Sequence, residues 1–412
     1  MSSPTVGERL ARIRRESTLT QEQLAERSGV SIEVIRKLEQ GSRGTARLET
    51  LHALARALRV PTSALIGDAS GAAARREPDH QPLSLAEIRR AIAPVRGLAG
   101  APVVGPTTDP PGLDTLRAHL HVADRVVNAG DYAVALRALP PLLMNARAAV
   151  GLATDEELVA ANDLFARTQR LAGGLLIQLR AEDLAQTALS GALDSAQRSG
   201  NRVVAATVIQ TVTWLLMRQG RIGEAARLAI ATADEVEPQF SRATPGELAA
   251  WGWLLLGAAA ACARDNRPDE VTDLIDAAGA AAVRIGERVP PADQLMLVGG
   301  FDTAKVQMQR VEAAAVAGEA ERVLKLSEKV PPAPTISRSA WRRHRLDVAW
   351  AYTHLRRYGK ATTVLTHLRD MSPTWLRQQR YARDIVEQIV AGRRRAMTHE
   401  LTELAEMMGC SR

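Results

Sequence analysis

Residues 20 to 41 read TQEQLAERSGVSIEVIRKLEQG. Two short helical stretches are broken by a single Ser28-Gly29 and resumed at once, where a helix built only for packing would run on unbroken. Thr20 and Gln23 have the T-x-x-Q spacing of a capping box, so a helix is predicted from Gln21 with Leu24 and Ala25 facing inward. Gly29 supplies the left-handed backbone that ends it. Ser31 then caps a second helix, whose Ile35 and Leu38 continue the buried face. The two helices are expected to meet at a steep angle across a very short turn.

Working outward, ERLARIRRES (8–17) reads as a first helix with Leu10 and Ile13 inward. RLETLHALARALRV (47–60) reads as a fourth with Leu51, Leu54, Ala55 and Leu58 inward, and PTSALIG (61–67) as a short fifth. This unit resembles the lambda-repressor-like helix-turn-helix of the XRE family. The resemblance rests on Arg14, Leu19, Thr20, Gln21, Leu24, Ala25, Gly29, Val30, Ser31, Ile35, Glu39 and Gly41 at fixed spacing. The loop RGTAR (43–47) departs from the pattern, lacking the proline often found there.

The resemblance implies that one helix rests across a phosphate backbone while the next enters the major groove of a double-stranded operator. Ile32, Glu33, Arg36 and Lys37 would then project toward base edges. Arg36 or Lys37 suits guanine, Glu33 a cytosine amine and Ile32 a thymine methyl. Thr20, Gln21 and Ser31, at helix starts whose free N–H groups favour anions, are phosphate candidates. Arg43 in the basic loop is a phosphate or minor-groove candidate. Arg14 and Glu39 are implied to pair as a structural salt bridge, since a carboxylate near phosphates is costly unless paired.

The rest of the chain is compatible with this reading. Its 412 residues suggest two to three domains, and 46% hydrophobic content suffices for a core. Aromatics are only 3%, so that core is built of Leu, Ala, Val and Ile, which favours an all-α class of closely packed helices. The net charge is +7, and through Ile66 eleven Arg or Lys face seven Glu, so +4 of it lies in the first sixth of the chain. Two cysteines, Cys262 and Cys410, make neither a disulfide framework nor a metal site, and a reducing cytoplasm is expected. The start of the chain has no apolar run of signal-peptide length. The run LAAWGWLLLGAAAACA (248–263) is short of a span and reads as a buried helix, so no membrane partner is expected.

Residues 1–66 are thus read as a DNA-binding domain and 67–112 as a Pro, Gly and Ala-rich linker with seven prolines between Pro78 and Pro111. One short helix, LSLAEIRRAIAP (83–94), is expected inside it, capped by Ser84. From Leu113 to the end apolar residues recur at helical spacing, and one phrase returns: NAGDYAVALRAL (128–139), LRAEDLAQTALSGAL (179–193), RQGRIGEAARLAIA (218–231), RDNRPDEVTDLIDAA (264–278), VAGEAERVLKLSEKV (316–330) and LRRYGKATTVLTHL (355–368). Each reads as a helix end, a tight turn and a second helix. The phrase resembles the tetratricopeptide repeat over roughly Leu113 to Ser372, which implies an α-solenoid of helical hairpins, with terminal capping helices entered at Pro373.

A solenoid groove suits a peptide or small-molecule effector. Polar and aromatic candidates for it are Asn162, Gln169, Gln210, Trp214, Asp302, Gln309 and Trp350. The combination resembles peptide-gated regulators and actinobacterial XRE regulators, which implies a homodimeric sensor. No H-E-x-x-H, phosphate loop or nucleophile elbow is present, so neither catalysis nor a cofactor is expected. The competing reading is a protein-binding adaptor in which the N-terminal domain is a docking module; the basic charge concentrated there argues against it.

Overall fold

The computed structural model describes residues 5–41, 46, 48–66, 85–95, 98, 109–286, 300–330, 338–393 and 396–410. Among these residues the only regular elements are helices. Five of them, α1 (Val6–Glu16), α2 (Gln21–Ser28), α3 (Ile32–Glu39), α4 (Leu48–Leu58) and α5 (Thr62–Ile66), close around Leu10, Leu24, Ile35, Leu38, Leu54 and Leu65. All six side chains are essentially sequestered from water, so this small unit has a core of its own.

The helix expected inside the linker forms as α6 (Ala86–Ile92), while its proposed cap, Ser84, lies outside the described residues, as does most of the linker. Ile88, Ala91 and Ile92 are buried, so α6 belongs to the packed body that follows.

That body is a stack of hairpins: α7 (Leu113–Ala129) with α8 (Tyr132–Leu152), α9 (Asp155–Gln178) with α10 (Glu182–Ser199), α11 (Arg202–Arg218) with α12 (Ile222–Glu235), and α13 (Pro245–Arg264) with α14 (Pro268–Gly286). It continues through α15 (Thr303–Val316) with α16 (Ala320–Ser327) and α17 (Arg338–His354) with α18 (Tyr358–Met371). The short α19 (Pro373–Arg377), α20 (Arg380–Gly392) and α21 (His399–Met407) end it, and Pro373 is the first residue of α19.

All six recurring sequence phrases fall on the hairpin turns. At each, one residue is left-handed: Gly130, Arg180, Gly220, Asn266, Gly318 and Arg356. The N–H of the next residue bonds the carbonyl five residues back, from Asp131 to Val126, Ala181 to Leu176, Arg221 to Leu216, Arg267 to Cys262, Glu319 to Ala314 and Arg357 to Tyr352. This bond satisfies a carbonyl that the ending helix would otherwise leave unpaired, and one backbone solution therefore recurs through a divergent sequence.

The first helix of each hairpin contacts the first helix of the next, in the series α7, α9, α11, α13, α15, α17 and α20. These helices form an inner wall, with the second helices outside. The stack also comes round on itself. Arg342 on α17 donates from Nη1 to the carbonyl of Ala129 at 2.9 Å, and Trp375 of α19 lies against Gly130. One apolar cluster joins Leu116, Leu120 and Tyr132 at the beginning to Leu346, Trp375 and Ile385 near the end. The solenoid is therefore a ring.

The apolar run 248–263 lies in α13, which by length and composition alone would be able to cross a membrane. Here most of it is buried against α11, α12 and α14. Gly252 on this helix faces Phe301, and a Cβ there would stand 2.0 Å from the end of the buried ring. Gly252→Ala is expected to destabilise the ring by about 3 kcal/mol through overpacking. A urea titration with an unchanged midpoint would contradict it.

Candidate nucleic-acid interface

The opening stretch folds by short-range chemistry. Thr20 Oγ1 accepts from Gln23 N at 3.2 Å and Gln23 Oε1 accepts from Thr20 N at 2.9 Å, which fixes the start of α2. Gly29, at φ 68°, ends it. Ser31 precedes α3 without a side-chain cap bond, so its hydroxyl is not engaged by the helix it begins. Ile35 and Leu38 turn α3 inward, and its opposite side is open to solvent.

Glu33, Arg36 and Lys37 occupy that open side with more than half of each side chain exposed, while Ile32 is half-buried. Arg36 meets Glu22 of α2 at 3.1 Å, and Lys37 meets Glu33 one turn earlier at 2.6 Å. Glu33 is held below the usual carboxylate range by Lys37. Glu22 is held low first by the backbone N–H at the start of α2, then by Thr20 and Arg36. In the free protein these cations thus carry local counter-charges. Such exposed pairs exchange readily with water and salt.

Arg14 of α1 and Glu39 of α3 form a two-pronged pair at 2.7 and 2.9 Å. Arg14 also donates to the carbonyl of Leu19. Gln21 donates its amide to the same Glu39 at 2.7 Å. Gln21, expected at a phosphate, thus directs its side-chain amide to Glu39 in the free protein. Burial pushes Glu39 upward, but the hydrogen bonds from Arg14 and Gln21 outweigh it and hold its pKa below the usual value. A lowered folded pKa means that Glu39 stabilises the fold above about pH 4 and loses that contribution as pH falls through the lower value. Glu39→Gln is expected to cost about 2 kcal/mol at pH 7, less than a fully enclosed pair because Arg14 remains partly wet. The gap to the wild type should narrow in acid; a gap that is constant from pH 7 to 3 would contradict this. Arg43 lies outside the described residues.

The five-helix unit is seated on the ring by α4 and α5. His52 is buried, and Nδ1 lies 2.9 Å from the carbonyl of Arg264. Burial lowers its pKa, so the neutral ring donates to that carbonyl. Ser63 N donates to Asp265 Oδ1 at 2.8 Å and Thr62 N to the Asp265 carbonyl at 3.3 Å. Arg56 donates to the carbonyl of Ala317. The seat thus spans successive hairpin turns and involves α4 and α5, while α3 packs on α1 and α2.

Of the expected groove residues, several are internal. Asn162 is buried and bonded to the Leu158 carbonyl, and Gln169 accepts from Ser195 between α9 and α10. Asp302 caps α15 by accepting from Lys305 N. Trp350 packs into two apolar clusters and stacks on His354. These four have packing and capping roles within the described residues. Gln210 is half-buried on α11. Trp214 and Gln309 are the two that stand beside charge, at Arg218 and Glu312 respectively. Sequence reading missed Arg218, Arg264, Lys305, Glu312, Arg343 and Asp347. Their signal was available as charges three or four residues from a polar or aromatic neighbour on first helices, such as Lys305, Gln309 and Glu312.

Residues 10–65 match a helix-turn-helix family, and the segment is an XRE-type helix-turn-helix domain. No curated protein matches the chain. The match supports a DNA-binding regulator, and an all-helical region follows the domain.

Proposed function

We propose that the chain is a sequence-specific transcriptional regulator that binds a pseudo-palindromic operator as a homodimer. The observation that carries this reading is α3, apolar where it meets the core and lined with Glu33, Arg36 and Lys37 where it meets solvent. Ile32, Glu33, Arg36 and Lys37 read base edges. Thr20, Ser31 and the backbone N–H groups at the starts of α2 and α3 grip phosphates, with Gln21 and Arg43 beside them. The half-sites lie about one helical turn apart. The ring, a tetratricopeptide-like sensor, receives a small signal and sets the position of the DNA-binding heads through the seat at His52 and Asp265. A signal acts only by binding one arrangement better than another. The protein works in the cytoplasm and performs no catalysis.

The test is a salt titration of operator binding. Three basic residues per head, Arg36, Lys37 and Arg43, in a dimer imply a loss of affinity of roughly a thousandfold between about 50 and 200 mM salt. A protein that selects no sequence, or whose binding ignores salt, would not fit the proposal.

A further inference from the structure

Among the described residues, the inner wall of the ring carries two cations that it does not pair at salt-bridge distance. Arg264 on α13 and Glu312 on α15 meet at 2.5 Å, and Gln309 adds its amide to Glu312 at 3.2 Å. Arg343 on α17 lies 3.9 Å from Asp347 and stands over the ring of Tyr381 on α20. Arg218 on α11 and Lys305 on α15 have no carboxylate at salt-bridge distance among the described residues. Each instead lies beside an indole, Arg218 at 5.9 Å from Trp214 and Lys305 at 5.4 Å from Trp253. Of these four cations, two are thus paired at salt-bridge distance among the described residues, while Glu182 and Asp302 act on Arg218 and Lys305 only at longer range.

These two cations, without a salt-bridge partner among the described residues, both lie in the field of Arg343. Burial first, then the charges of Arg343, Arg180 and Arg264, pull Arg218 down to about 10 against the opposing charge of Glu182. Burial also lowers Lys305, with Arg343 adding to the effect and Glu312, Asp347 and Asp302 opposing it. Yet Arg218 is exposed. Protein surrounds it while solvent touches it, which is the situation of a side chain facing the inside of a ring. Glu49, at the start of α4, places a carboxylate of the DNA-binding domain in the field of Arg343 and Tyr381.

We propose that this inner wall binds a small organic dianion with an aromatic or apolar body, its charges met by Arg218, Lys305 and Arg343 and its body by Trp214, Trp253 and Tyr381, in competition with Glu49. The proposal rests on the sensing role given to the ring above and supplies the chemistry of the signal. Unpaired guanidinium and ammonium groups attract anions strongly where little water screens them. Indole and phenol faces accept a flat apolar body.

Calorimetric titration of the full chain with phthalate and with phenyl phosphate at pH 8, against ionic-strength-matched sodium chloride, tests this. Saturable binding of one molecule of either probe per chain is expected, and the probe that binds identifies carboxylate or phosphate as the charge recognised. Arg218→Gln and Lys305→Gln should each weaken binding at least tenfold, Arg218→Lys should keep most of it, and Glu49→Gln should tighten it. No saturable binding of either probe, or wild-type affinity in folded Arg218→Gln and Lys305→Gln, would overturn the proposal. Operator binding measured on the same preparation separates that failure from failure of the regulatory reading.

Discussion

Gly7→Ala is expected to dismantle the packing of α1 against α3 and to abolish operator binding. A Cβ at this position would stand 1.9 Å from the carbonyl oxygen of Leu38 and 2.9 Å from its carbon. Both are backbone atoms of the helix end, so neither swings aside as a flexible side chain would. Overpacking of this kind costs about 3 kcal/mol or more. The displaced α1 also carries Arg14 away from Glu39, adding a buried carboxylate without its partner. The same substitution at Gly174, inside α9 with nothing within 4 Å of a new Cβ, should instead be neutral or stabilising by up to about 1 kcal/mol. Hydrogen exchange resolves the two: amides of α1 to α3 lose protection in Gly7→Ala and keep it in Gly174→Ala. Full protection of α1 to α3 in Gly7→Ala would refute the close approach.

Replacing Arg36 and Lys37 together by alanine should reduce operator affinity by at least a hundredfold, since a good base contact is worth about tenfold or more and two cations are removed. The fold should be untouched, because both side chains are mostly exposed and their pairs with Glu22 and Glu33 lie on the surface. Those pairs also predict an asymmetry. Glu22→Gln frees Arg36 from its counter-charge and should raise affinity, whereas Glu33→Gln both frees Lys37 and removes a candidate acceptor for a cytosine amine. Unchanged affinity and sequence preference in the double variant would remove α3 from the interface.

What was legible in the sequence is what local chemistry decides. Thr20, Gln23 and Gly29 act within a few residues of one another, so the two helices and their turn follow from spacing, whereas Ser31 makes no side-chain cap bond to α3. The hairpin turns were readable for the same reason, although Arg180 and Arg356 take the left-handed position that glycine holds at Gly130, Gly220 and Gly318. Ring closure and the seating of the head were not readable. They depend on Arg342 reaching Ala129, 213 residues away, and on His52 reaching Arg264, 212 residues away. The setting of the groove candidates was hidden for a related reason. Residue type singles out Asn162 and Gln169, but their rotation around α9 turns them into bonds within the packed layers. The charged inner wall came from first helices whose neighbours lie one or more hairpins away, a relation set by stacking.

The central claim is that α3 lies in the major groove of a specific operator. Guanine N7 protection from methylation, measured on an operator selected from random sequence by the full chain, tests it most directly because N7 is exposed in the major groove. The expected result is protected guanines in two symmetric half-sites about one turn apart, with protection at one position of each half-site lost in Arg36→Ala while the rest is kept. Selection that enriches no sequence, or a protected operator whose N7 pattern is identical in the wild type and Arg36→Ala, Lys37→Ala and Glu33→Gln variants, would contradict it.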